Sequence, residues 1–118
     1  MKDIEKIANR LVALCREQKF VEAYKTLFSE DAESVDPIYR NHAPSKGLIN
    51  LVEREKQFLA KSEIHSITVS DPLLSLNYFA VKLSMDFTHE ERGRVSMSEL
   101  CVYHVKDGRI VSQQFFID

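Results

Sequence analysis

The sequence predicts an α+β fold in which helices pack on one face of a strongly curved antiparallel sheet. Three observations carry that expectation. Apolar residues recur at helical spacing through the first half of the chain. From Glu63 onward the period changes to two, as in half-buried strands. Near the end, Ser98 to Val105 and Ile110 to Phe116 flank an Asp107-Gly108 turn, a strong hairpin signal. Helices followed by a meander of strands give segregated layers rather than alternating βαβ units.

Ile4, Ile7, Ala8, Leu11, Val12, Leu14 and Cys15 mark an amphipathic helix over about residues 3–17, with Asp3 as its cap. Phe20, Ala23, Tyr24, Leu27 and Phe28 mark a second, shorter helix after a tight connection at Lys19. Ala32 to Asp36 reads as a short strand stopped by Pro37, which removes a ladder donor. A polar loop from Pro37 to Lys46 follows, and Ser45 is expected to cap a third helix over about 46–61. Ile64 to Val69 is a strand that Asp71-Pro72 breaks. In the strand from Tyr78 to Thr88, Phe79, Val81, Leu83, Met85 and Phe87 alternate with mostly polar residues. His89 to Gly93 is a turn, and Arg94 to Val105 is the next strand.

At 118 residues the chain reads as one domain, 1–118, large enough to bury roughly two-thirds of its unfolded surface. Hydrophobic residues make up 44% and charged residues 29%, which excludes a disordered chain. A net charge of −2 with interleaved signs gives no footprint for nucleic acid or an anionic membrane. No apolar run approaches the length of a membrane span, and Met1-Lys2-Asp3-Ile4-Glu5 does not open a signal peptide. Cys15 and Cys101 fall on a predicted helix and strand, outside any metal-spaced set, and read as buried thiols. The expected location is therefore a reducing compartment, the cytoplasm. His42, His65, His89 and His104 are scattered, so neither a metal site nor a cofactor is expected.

Three stretches resemble a known family. Leu27-Phe28-Ser29-Glu30-Asp31-Ala32-Glu33-Ser34-Val35-Asp36-Pro37 is like its "L(F/Y)xxDAxxxDP". Lys46-Gly47 opens the third helix like its "xGxxxI", and Val102 to Ser112 is like its closing hairpin. The chain resembles the nuclear transport factor 2-like superfamily, and within it the SnoaL-like branch with its polyketide cyclases and ketosteroid isomerases. The resemblance implies a cone-shaped, cystatin-like fold with three N-terminal helices and a conical pocket, and back-to-back sheet dimers. It makes Asp36 match the isomerases' general base. It puts Val12 where they carry a hydrogen-bonding tyrosine, and Cys101, with Glu99 nearby, where they carry a second acid. Glu55 matches a pocket-lining tyrosine.

The expected pocket wall follows from period-two bookkeeping. If Phe87 faces Val95, one face holds Leu83, Met85, Phe87, Met97, Glu99, Cys101 and Tyr103. A two-residue Asp107-Gly108 loop then sets Cys101 opposite Gln114 and Tyr103 opposite Ser112. Glu99 becomes the only charge on that face, with Gln114 as its neighbour. The other face holds Leu100, Val102, Val111 and Phe115, with His104 and Gln113.

The candidate site is thus Asp36 and Glu99 as acid/base groups, with Glu55, Met85, Met97, Cys101, Tyr103, Ser112 and Gln114 lining the pocket. Each residue also has a plainer reading. Asp36 before Pro37 starts a turn, Glu55 reaches solvent along its stem, and Tyr103 is core. Glu99 is harder to explain this way, because an unpaired buried carboxylate costs several kcal/mol.

Three functions fit. The first is a binder of a small, mostly apolar molecule. The second is an isomerase, cyclase or dehydratase-like enzyme using Asp36 or Glu99. The third is a non-catalytic interaction module. A homodimer through the Leu100/Val102/Val111/Phe115 face is compatible with all three.

Overall fold

The structure, a computed structural model, describes residues 3–37 and 44–117; His42 and most of the 37–46 loop lie outside the described residues. Helix α1 (Asp3–Arg16) turns its Ile7, Leu11, Leu14 and Cys15 stripe inward. It ends at Gln18, whose φ of 62° is left-handed, with Lys19 N donating to Leu14 O at 2.8 Å. Helix α2 (Phe20–Leu27) follows at once. Phe28, extended at φ −93° and ψ 151°, carries the chain directly into strand β1 (Phe28–Val35). The strand therefore starts four residues before the predicted Ala32, because parallel pairing of Phe28 with Ile110 overrides the helical spacing of Leu27 and Phe28.

Ser45 is not a helix cap. Ser45–Lys46 is a two-residue strand, β2, paired antiparallel with Ser34 and Glu33. Gly47 occupies the cap position of α3 (Leu48–Ala60) at φ 98°, a conformation that favours glycine. Its amide bonds Ala32 O at 2.9 Å, fastening the start of α3 to β1.

The remaining strands are β3 (Ser62–Val69), β4 (Leu73–Ser75), β5 (Tyr78–His89), β6 (Gly93–Lys106) and β7 (Arg109–Ile117). The sheet order is β2-β1-β7-β6-β5-β3, with β4 also on β5. All pairs are antiparallel except β1 with β7. The architecture is α+β, with the helices on the sheet's inner face. At the far end of α1, Arg16 ties the layers together, donating to Val69 O through Nε at 3.1 Å and Nη2 at 2.7 Å. Among the described residues no helix is long and apolar enough to cross a membrane.

Phe87 faces Val95 as the alternation predicts, and Phe79, Val81, Leu83, Met85 and Phe87 all point inward and are buried. The final hairpin departs from prediction. Lys106 pairs with Arg109 around a two-residue turn, and Val105 pairs with Ile110, as expected. The next pair is His104 with Ser112, so Val111 is an extra residue, a β-bulge. Beyond it the parity flips. Cys101 lies opposite Phe115, Tyr103 opposite Gln113, and Gln114 opposite Val102. Ser112 and Gln114 therefore belong to the outer face, while Gln113 and Phe115 turn inward.

The core centres on Phe79, whose ring stacks on Tyr103 at a centroid separation of 4.8 Å; Tyr103 meets the edge of Phe28 at 6.3 Å. Phe79 is 1% exposed. Phe79→Ala is expected to cost about 3–5 kcal/mol in urea unfolding, the usual range for truncating a buried aromatic. A loss below about 1 kcal/mol would remove this stack from the centre of the fold.

Candidate functional site

Between the helices and the curved sheet lies a cavity of about 110 Å³. Its walls are mostly apolar. Leu11 and Cys15 come from α1, Phe20 and Tyr24 from α2, Leu51 and Phe58 from α3, and Met85, Phe87, Met97 and Tyr103 from the sheet. Three carboxylates enter it from separate elements. Asp36 follows the end of β1, Glu55 comes from the inner side of α3, and Glu99 comes from β6. Arg54 also lines the space. Met85 and Met97 are direct cross-strand partners on the sheet wall.

Low-dielectric surroundings set the chemistry of these acids. Burial pushes Glu55 up from 4.5 to about 7; the negative charge of Asp36 adds to the shift, and Arg54 opposes it. Glu99 also rises to about 7, through burial first and then the charge of Asp36. The Cys101 thiol, 3.7 Å from Glu99 Oε1, partly offsets this as a weak donor. Near neutral pH each glutamate is therefore protonated about half the time and can either give or accept a hydrogen bond. Both cysteines lie in the cavity wall and are free thiols. Burial lifts Cys15 to about 12 and Cys101 higher still, so neither is a nucleophile at neutral pH. Among the described residues no three His, Cys, Asp or Glu side chains are arranged so that they could hold a metal ion.

The geometry thus gathers Asp36, Glu55, Glu99, Met85, Met97, Cys101 and Tyr103 around one space. It leaves out Ser112 and Gln114. Gln114 instead borders a second, open groove that Leu100, Phe116, Phe115 and Glu99 also line, and Glu99 and Gln114 are not hairpin neighbours because Glu99 pairs with Ile117. Four polar lining residues, Tyr24, Ser34, Arg54 and Gln113, were missed. Gln113 is 3% exposed and donates its amide to Tyr24 Oη at 2.7 Å and to Ser34 Oγ at 2.9 Å. Tyr24 brings into the cavity, from α2, a hydroxyl that Val12 on α1 cannot provide. Sequence periodicity gave Tyr24 no distinction from a core residue, and only the bulge turns Gln113 inward.

Three helices on a curved, mostly antiparallel sheet with a cavity between the layers define the nuclear transport factor 2-like, or cystatin-like, architecture. The chain belongs to the SnoaL-like domain family, whose model matches residues 3–117. Among solved structures it is similar to a candidate SnoaL-like polyketide cyclase from Mesorhizobium loti. The two are 26% identical, with a TM-score of 0.90, over 98% of this chain and 99% of that one. A candidate isomerase from Bacillus subtilis shares 18% identity at a TM-score of 0.77, over 100% of this chain and 90% of that one. A cystatin-like-fold protein of unknown function from Xanthomonas campestris shares 15% identity at a TM-score of 0.80, over 99% of this chain and 91% of that one. The last two likenesses speak for the fold alone. No curated protein matches the sequence.

The raised glutamates make stability depend on pH. Each binds its proton more tightly in the folded state than in the unfolded chain, where a value near 4.5 applies. Their stabilising contribution is therefore complete below about pH 4.5 and is lost as pH rises through about 7. Glu99→Gln should raise the melting temperature at pH 8 and leave it nearly unchanged at pH 4.5. Carbon-detected NMR of the glutamate carboxyls should show two midpoints near 7, both shifted down by Asp36→Asn. Midpoints near 4.5 in the unmodified protein would show that the cluster is solvated.

Proposed function

We infer that this protein binds a small, mostly apolar molecule in the cavity and holds the molecule's polar group among Asp36, Glu55 and Glu99. The observation that carries this reading is the convergence of those three carboxylates within one apolar-walled space. A cavity serving only as core has no use for acids whose burial opposes their charge. Volume limits the occupant. An apolar cavity of roughly 150 Å³ accommodates benzene, so about 110 Å³ suits a compact molecule of similar size or smaller. Two buried free thiols suit a reducing, cytoplasmic setting.

A second reading, favoured by Glu55 and Glu99 titrating at about 7, is general acid/base catalysis near neutral pH. In it Asp36 or Glu99 takes a proton from the carbon beside a carbonyl, as in isomerases, cyclases or dehydratases. The candidate cyclase among the similar structures supports this chemistry. NMR-detected deuterium exchange at such carbons, abolished by Asp36→Asn or Glu99→Gln, would establish it. Binding without exchange leaves the protein a binder.

We propose a second copy of the chain as the partner on the outer sheet face. Leu100 and Phe116, paired across β6 and β7, are 47% and 49% exposed there. Phe115, expected on this face, lines the cavity instead, so Phe116 takes its place. One apolar patch meeting its own copy about a two-fold axis makes a closed dimer. Light scattering should give twice the chain mass at micromolar concentration, falling to the single-chain mass in Leu100→Glu.

The binding reading has a convenient reporter. The chain holds three methionines, and Met85 and Met97 both line the cavity. With methyl-labelled methionine, cyclopentanol should shift the Met85 and Met97 signals saturably. Glu99→Gln should weaken that response. Unmoved Met85 and Met97 signals across a panel of ring-sized alcohols, ketones and amines would overturn the binding function.

A further inference from the structure

The cavity that the carboxylates face carries a second polar device, built on Tyr24, Ser34 and Gln113. Ser34 on β1 and Gln113 on β7 are parallel-strand partners, and Tyr24 reaches them from α2. Gln113 and Ser34 are 3% and 2% exposed, so water does not compete for this network from outside. The Gln113 amide nitrogen has two protons, one placed on Tyr24 Oη and one on Ser34 Oγ. Each hydroxyl therefore spends a lone pair on the amide and keeps its own proton for another acceptor. Both residues line the cavity. Tyr24 will not give up that proton by ionising. Burial, and then the charge of Glu55, hold its phenol well above the ordinary range despite the amide's opposing effect.

We propose that Gln113 is a positioning residue that fixes Tyr24 and Ser34 as a pair of neutral donors, and that the site takes a ligand bearing an acceptor oxygen, such as a small ketone. This rests on the binding function inferred above and specifies its ligand class. A glutamine does this better than an acid. A carboxylate at position 113 would accept from both hydroxyls and turn their protons away from the ligand. The bulge at Val111 makes the arrangement possible, because it is what turns Gln113 rather than Gln114 inward. The donor pair and the glutamates then divide the work: one receives the ligand's oxygen, and the other meets its neighbouring hydrogen or hydroxyl.

The test compares cyclopentanone with cyclopentane, which has the same ring and no acceptor. Binding is read on the Met85 and Met97 methyl signals, and the carbonyl stretch of bound cyclopentanone is read by infrared difference spectroscopy. The ketone should bind more tightly than the hydrocarbon, with its stretch shifted to lower frequency than in hexane. Tyr24→Phe and Ser34→Ala should each weaken ketone binding roughly two- to tenfold, the range for one neutral hydrogen bond. Each should also move the stretch part of the way back and leave cyclopentane binding unchanged. Gln113→Glu should remove the whole frequency shift. Should that variant fail to fold, the Tyr24 and Ser34 variants still decide. A bound ketone whose stretch matches hexane, or is insensitive to all these substitutions, overturns the donor pair while the binding function stands. That result would mean the amide is turned over, with both hydroxyls donating to its oxygen. If neither probe enters, the ketone site falls, and the wider panel of alcohols and amines decides the binding function.

Discussion

Pairing of β5 with β6 is the constraint on which the rest depends. Every residue from Tyr78 to His89 has a partner on β6, from His104 to Gly93, without interruption. An unbroken antiparallel ladder locks side-chain parity along both strands. Once Phe87 points inward, so must Leu83, Met85, Met97, Glu99, Cys101 and Tyr103. Glu99 cannot leave the cavity without taking the strand's apolar set with it. The acid's desolvation is thus imposed by its neighbours, and the fold tolerates it because the apolar burial around it is much larger.

β7 then adds a degree of freedom that β5 and β6 lack. A single extra residue, Val111, reverses which glutamine of the Gln113-Gln114 pair faces inward. The consequences reach two surfaces at once. Inside, Gln113 gathers Tyr24 and Ser34 and Phe115 joins the cavity wall. Outside, Phe116 replaces Phe115 beside Leu100. The polar lining of the cavity and the character of the outer face are therefore coupled through one backbone irregularity.

The parts of this fold governed by periodicity were legible in the sequence. Those governed by single backbone conformations were not. The alternation of Phe79 to Phe87 reads directly as a strand, and the Asp107-Gly108 turn reads directly as a two-residue loop. The bulge three residues later leaves no compositional mark, because Val111 and Ser112 suit either parity. Gly47 was visible as a glycine, but its φ of 98° is what makes it, rather than Ser45, the start of α3. Tyr24 sits on a helical stripe where any large apolar residue would fit, so its hydroxyl was invisible until the partner strand was placed. Of the three acids, Glu55 was the least distinctive, since helical glutamates ordinarily reach water. Only the packing of α3 over the sheet gives it a desolvated position.

The two thiols in the cavity wall give the interior an unusual redox character. A free cysteine begins to deprotonate, and so to react with oxidants, a little above neutral pH. Here burial is the main obstacle to deprotonation of Cys15, and the charges on Glu55 and Glu99 add to it. Those glutamates become charged at about pH 7, just where an ordinary thiol would start to become reactive. The cavity therefore suppresses its own sulfur chemistry most strongly under the conditions that normally awaken it. Both thiols of the wall are thereby held in the protonated form, which is the poorer nucleophile.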